Sequence, residues 1–76
     1  MTVLDLHGIP YNNVEKIVIE FIFFNEAPFK IITGKSHSMV SMVHEILEKY
    51  NFTYYPENYT NYGAYIIQDK ENSVYL

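Results

Sequence analysis

Two short stretches of the chain combine a turn with polar side chains that can transfer protons or bind anions. The first is Leu4-Asp5-Leu6-His7-Gly8. On a strand Asp5 and His7 point to the same side, with Cα atoms about 7 Å apart. A histidine beside a carboxylate can accept a proton near neutral pH, so Asp5 and His7 are candidate catalytic residues. Gly8 then allows the backbone to turn sharply.

The second stretch, Ile31-Ile32-Thr33-Gly34-Lys35-Ser36-His37-Ser38, has the same design. A β-branched strand ends at a glycine, and polar residues precede a predicted helix. Gly34 is expected to turn at a positive φ. A lysine next to the free N–H groups of a helix N-terminus can bind a phosphate. The candidate phosphate-binding residues are therefore Gly8, Thr33, Gly34, Lys35, Ser36 and His37.

Each of these residues also has a structural interpretation that stays open. Asp5 could brace its turn by accepting backbone N–H bonds, and Gly34 could serve the backbone alone. Lys35 could be a solvated surface charge, and His37 could merely brace its turn. Ser36 or Ser38 is expected to cap the second helix.

A metal site formed by Asp5, His7 and His37 is conceivable, since two histidines and a carboxylate are enough ligands. Nothing in their spacing requires it, so we predict no metal site and leave a divalent ion open as a cofactor. His44 falls on the polar side of the second helix and is expected at the surface.

The apolar pattern predicts the elements that position these residues. Strands are expected at 2–7, 29–33, 52–57 and 62–68, and helices at 11–25 and 39–50. The last two strands should form a hairpin with a loop longer than two residues. Ile19, Phe23 and Phe24 widen the apolar surface of the first helix, which indicates either burial on more than one side or a surface for a partner.

The order strand-helix-strand-helix-strand-strand predicts an α/β two-layer sandwich. The first two strands should be parallel, and both helices should cover one face of the sheet. The two glycine turns then emerge at the same sheet edge, where open α/β sheets bind ligands. Asp5 and His7 should lie on the face away from the helices, with Leu4 and Leu6 buried beneath them.

Composition limits the possibilities further. A chain of 76 residues forms one domain, with a core at about 2–68 and a loosely held tail at 69–76. There is no cysteine, and neither a signal peptide nor a membrane span is expected, so the sequence predicts a cytoplasmic protein. Abundant Ile, Asn and Tyr suggest a low-GC bacterium or a phage. The net charge of −4 argues against strong binding of nucleic acid by charge alone.

LDLHG and ITGKSHS resemble the LDxHG and TGxG motifs of the Smr (small MutS-related) domain family. The resemblance covers residues 3–67, although Ser36 stands where the family usually has its second glycine. It implies a βαβαββ fold with a four-stranded mixed sheet of order 1-2-4-3, in which strand four is antiparallel to the others. This topology is similar to the C-terminal domain of translation initiation factor three.

The resemblance also implies a stand-alone domain that binds RNA or DNA through its two turns. Some Smr domains are endonucleases, so Asp5 and His7 are the residues to test for phosphodiester hydrolysis. The six candidate phosphate-binding residues would contact the nucleic acid. Tyrosines between positions 54 and 65 could stack on bases or pack against the helices. The alternative function is a protein-interaction module that docks a partner through Ile19, Phe23 and Phe24.

Overall fold

The computed structural model of the chain describes residues 1–58 and 60–70, and describes the backbone alone at 61 and 62. Its elements are β1 (Val3–Asp5), α1 (Tyr11–Phe24), β2 (Phe29–Ile32), α2 (His37–Lys49), β3 (Phe52–Asn58) and β4 (Asn61–Asp69). The predicted order of strands and helices is therefore confirmed. The predicted tail falls mostly outside the described residues, but its first residue, Asp69, belongs to β4.

The four strands form one mixed sheet in the order β1-β2-β4-β3. β1 pairs in parallel with β2, and β4 is antiparallel to both β2 and β3. This is the strand order that the sequence resemblance implies. Because β1 and β2 are parallel neighbours, the turns that follow them lie at the same edge of the sheet.

One hydrophobic core fills the space between the sheet and both helices. Alternate strand residues point into it, among them Leu6, Phe29, Ile31 and Ile67, which are fully buried. The helices contribute Val14, Val18 and Ile22 from α1 and Met39, Val43, Ile46 and Leu47 from α2. No helix of the described residues covers the opposite face of the sheet, where Lys30 forms an ion pair of 2.8 Å with Glu57.

The first helix buries one stripe and leaves an apolar end exposed. Ile19 is half-buried, whereas Phe23 and Phe24 are 68% and 84% exposed. Asn25 follows α1, and its side-chain amide donates to the carbonyl oxygen of Phe21 at 2.9 Å. The sequence predicted either burial of these residues or an exposed surface. Burial is correct for Ile19, and an exposed surface is correct for Phe23 and Phe24. Neither helix within the described part of the chain has the length and apolar character needed to cross a membrane.

The hairpin loop is shorter than predicted. Asn58 pairs with Asn61, which leaves two residues between β3 and β4. The side-chain oxygen of Asn58 accepts bonds from the backbone N–H and the hydroxyl of Thr60, both at 3.1 Å. Asparagine side chains can replace a backbone bond in this way, so the tight turn needs no glycine.

The third strand continues past Pro56 to Asn58, one residue further than expected. A proline is compatible with an edge strand or a bulge, because neither position needs every backbone N–H for pairing. β3 is an edge strand, and its register shifts between Pro56 and Asn58.

The same substitution should lower the free energy of unfolding by different amounts on the two faces of the sheet. Ile31→Val removes a methylene from the filled core and should lower the free energy of unfolding by about 1 kcal/mol. Ile66 is half-buried on the uncovered face, so Ile66→Val should cost less than about 0.5 kcal/mol. Urea unfolding followed by circular dichroism measures both, and equal losses would contradict the two-layer arrangement.

Candidate functional site

Asp5 braces the turn between β1 and α1. One of its carboxylate oxygens accepts a bond of 2.9 Å from the backbone N–H of His7. Gly8 follows at a φ of +81°, as the sequence predicts for a sharp turn. Asp5 and His7 are exposed, whereas Leu6 between them is fully buried. Asp5 alternates with the core-facing leucines, which confirms its predicted place on the face away from the helices.

The turn between β2 and α2 is fixed by one carbonyl group. The oxygen of Gly63 accepts bonds from the backbone N–H groups of Thr33 and Gly34, at 2.8 and 3.0 Å. The Thr33 side chain is 3% exposed, and its hydroxyl contacts the carbonyl oxygens of Gly34 and Gly63 at 2.8 and 3.3 Å. Thr33 therefore holds the turn from inside. Gly34 has a φ of +72°, which confirms the predicted positive φ.

Ser36 occupies the N-cap of α2. Its φ of −71° and ψ of 122° are open to any residue, so this position does not need the glycine that the Smr motif usually has. The Ser36 hydroxyl accepts a bond of 3.3 Å from the backbone N–H of Met39. It also bonds to the hydroxyl of Tyr11 at 2.5 Å. Tyr11 is the first residue of α1, so this bond links the N-termini of the two helices.

The two turns enclose a cleft of about 420 Å³, which we call the turn cleft. It is lined by Leu6, His7, Gly8, Ile32, Thr33, Gly34, Lys35, Ser36 and Met39. The structure thus brings together six of the eight predicted site residues. Asp5 and His37 are the two that do not line it. No acidic side chain is among the described residues that line this cleft.

A second cleft of about 450 Å³, the hairpin cleft, lies between α2 and the β3–β4 hairpin. Its described lining consists of Lys35, His37, Val40, Thr60 and Tyr65, again without an acidic side chain. Lys35 borders both clefts. The sequence interpretation included Tyr65 among the tyrosines that could stack on bases, but it missed Val40 and Thr60, because their proximity is set by the tertiary fold.

His44 is not the surface residue that the helical pattern predicts. Its ring stacks on Tyr54 with centroids 3.9 Å apart, and Tyr65 packs edge-on against it at 4.6 Å. Its Nε2 atom is buried and has no hydrogen-bond partner among the described residues. The hairpin covers this side of α2, and both tyrosines pack there. The sequence signal that this side is covered is an apolar residue, Val40, one turn earlier on the helix.

Burial and one carboxylate determine the ionisation of this aromatic cluster. Desolvation lowers the pKa of the His44 imidazole, and the charge of Glu48 opposes that shift. The hydroxyl of Tyr54 donates to the Glu48 carboxylate. This hydrogen bond, together with burial, raises the pKa of Tyr54 to about 12. Tyr54 is therefore neutral at physiological pH.

The conceivable metal ligands do not converge. His7 borders the turn cleft and His37 borders the hairpin cleft. Within the described ranges, 1–58 and 60–70, no group of three or more His, Cys, Asp or Glu side chains is arranged to hold a metal ion.

The stability of the folded chain should decrease as the pH is lowered, because of His44. Its pKa is lower in the folded protein than the value of about 6.5 in the unfolded chain, so acid favours the unfolded state. This contribution is fully present above the unfolded pKa and is lost as the pH falls below it towards the folded pKa. Glu48, Tyr54 and Tyr65 are the titratable groups against the ring.

Urea midpoints at pH 7.5 and pH 5.5 test this expectation. His44→Phe keeps an aromatic ring but cannot bind a proton, so it should reduce the loss of stability in acid. His37→Phe, at an exposed histidine, is the matched control and should behave as the unmodified chain does. An undiminished acid loss in His44→Phe would exclude His44 as its source.

Comparisons with known proteins add no family assignment. No protein-family model, no curated protein and no solved structure matches this chain. Functional interpretation therefore depends on the two turns, the clefts beside them and the residues of the motifs.

Proposed function

We propose that this chain is an Smr-like domain that binds nucleic acid, RNA or DNA, along the sheet edge formed by its two turns. The observation that carries the proposal is a pair of adjoining clefts that share Lys35. The other ionisable side chains with basic character in their lining are His7 and His37, and no described lining residue is acidic. A fold similar to the C-terminal domain of translation initiation factor three is part of the proposal.

The distribution of charge supports binding despite the net charge of −4. Glu57 is neutralised by Lys30 on the uncovered face of the sheet. Glu45 and Glu48 lie in the C-terminal half of α2, and Asp69 ends β4 at the opposite end of the sheet from the turns. The Asp5 carboxylate at the end of β1 accepts the His7 N–H. Lys35 attracts a phosphate locally, and repulsion by the more distant carboxylates is screened beyond about 10 Å at 0.1 M salt.

Backbone groups add to this local attraction. α1 and α2 both begin at the edge that carries the turns, since a bond joins Tyr11, the first residue of α1, to Ser36, the N-cap of α2. A helix N-terminus carries a partial positive charge and N–H groups without helical partners. A phosphate in the turn cleft could accept bonds from the first turn of α2 while Lys35 neutralises its charge.

Phosphodiester cleavage is the activity that the resemblance implies at this site. His7 borders the turn cleft together with Lys35. In the proposed step, the His7 imidazole takes a proton from the attacking water oxygen, which forms a bond to phosphorus. The P–O bond to the leaving oxygen breaks, and that oxygen takes up a proton from solvent. Lys35 offsets the negative charge that develops on the phosphate. Asp5 acts through the turn, because its carboxylate holds the His7 backbone.

The second candidate function is protein interaction, and the exposed Phe23 and Phe24 favour it. These residues end α1, whose 14 residues place them roughly 20 Å from the helix N-terminus. The apolar end is therefore well separated from the clefts, and the two functions can be tested independently.

Lys35→Ala should weaken binding of labelled single-stranded RNA and DNA similarly for all sequences. One phosphate contact is lost, so the slope of log K against log salt should become shallower by about one. Fluorescence anisotropy over a salt series measures both effects.

Two variants control this measurement. Lys49→Ala removes the same charge from the last turn of α2 and should leave the affinity nearly unchanged. Phe24→Asp should also leave it unchanged. Wild-type affinity of Lys35→Ala at low salt would contradict the proposed interface, and loss of a protein complex in Phe24→Asp would favour the second function.

His7→Ala should lower the rate of phosphodiester cleavage by at least about 100-fold if His7 is the general base. His7 is exposed, so folding should be little affected. Asp5→Asn retains an oxygen that can accept the His7 N–H bond and should cost less. Labelled RNA and DNA resolved on gels give the rates, and cleavage at the wild-type rate by Asp5→Ala/His7→Ala would identify a contaminating nuclease or another site.

A further inference from the structure

The hairpin cleft has the dimensions and walls of a ligand site. Its volume of about 450 Å³ lies in the usual range for small-ligand pockets, roughly 300–1,000 Å³. Val40 of α2, Thr60 of the hairpin turn and Tyr65 of β4 line it. The proposed phosphate interactions in the turn cleft do not use any of these three residues.

The chemistry of the lining suits a flat heteroaromatic ring that carries a phosphate. Val40 and Tyr65 offer apolar and aromatic contacts. The Thr60 hydroxyl donates its proton to Asn58 and can accept a hydrogen bond from a ligand. Lys35 and His37 supply the basic groups of the same cleft. A nucleobase binds through apolar, aromatic and hydrogen-bonding contacts, and the phosphate attached to its nucleoside binds to basic groups.

The aromatic wall is held in place before any ligand arrives. Tyr65 is 6% exposed, and its ring packs edge-on against His44 at 4.6 Å and Tyr54 at 6.3 Å. Tyr54 is in turn fixed by its bond to Glu48. A wall that is already ordered loses little entropy when it binds a ligand.

We propose that the hairpin cleft receives one unstacked nucleobase of a strand whose phosphate is bound at Lys35. This inference rests on the proposed nucleic-acid function and specifies its substrate class. A base in a duplex is stacked and paired, and it must leave the helix to enter a cleft. The domain therefore binds single-stranded RNA or DNA in preference to a duplex, because only the single strand offers an unpaired base at no cost.

The test uses fluorescein-labelled eight-nucleotide single strands of RNA and DNA, and blunt-ended duplexes of the same strands with their complements. Their affinities for the full chain are measured by anisotropy at low salt. Single strands should bind at least about 10-fold more tightly than duplexes, the scale of one base–aromatic stack. Comparing the RNA and DNA arms shows which sugar the site accepts.

Filling the cleft should remove this preference. Val40→Phe places a ring in the cleft and should weaken single-strand binding by about 10-fold, with duplex binding nearly unchanged. Ser41→Phe adds a similar ring at the next, exposed position of α2 and should have no effect. Thr60→Trp blocks the cleft from the exposed hairpin turn, so it replaces Val40→Phe if circular dichroism shows that Val40→Phe does not fold.

The outcomes separate this inference from the function on which it rests. Equal affinity for single strands and duplexes, unaffected by Val40→Phe or Thr60→Trp, would overturn the base-binding cleft and leave the proposed nucleic-acid interface standing. No binding of any strand by the unmodified chain at low salt would overturn both. Loss of single-strand preference in the cleft variants, but not in Ser41→Phe, would support the proposal.

Discussion

The carbonyl group of Gly63 is the point on which both clefts depend. It accepts the N–H groups of Thr33 and Gly34 and thereby joins the β2–α2 turn to β4. Lys35 comes directly after this anchored turn and borders the clefts on either side. Each such bond contributes roughly 0.5–1.5 kcal/mol net, but its larger effect is geometric, because it fixes where α2 begins relative to the hairpin.

The same arrangement places Lys35 beside two clefts whose described lining has no carboxylate, although the chain is acidic overall. Carboxylates of the described residues lie on the helices, on the uncovered sheet face or at the opposite end of the sheet, whereas neither cleft has one in its described lining. Asp5, the last residue of β1, accepts a backbone N–H from the turn that follows it. The net charge of the chain is therefore a poor guide to the charge near the two clefts, since that charge depends on where each ionisable side chain lies.

Local sequence patterns predicted the two turns. The features that they failed to predict depend on packing between residues that are distant in the sequence. The positive φ values of Gly8 and Gly34 follow from single residues, and the parallel pairing of β1 and β2 follows from the strand-helix-strand order. His44 could not be placed in this way, because the helical pattern shows only that it lies off the main apolar stripe. Whether that side is solvated depends on where Tyr54 and Tyr65 fold, and the tight Asn58 turn that positions them lacks the usual glycine signal.

The edges of the sheet have a consequence for self-association. An unpaired strand edge is a template for strands from other molecules and hence for aggregation. Here one edge, β1, is only three residues long. The other, β3, is interrupted by Pro56 and by an irregular register. Neither edge presents a long regular run of free backbone groups, so the domain can leave Val3 and Tyr55 exposed on its uncovered face without offering a ready path to fibril growth.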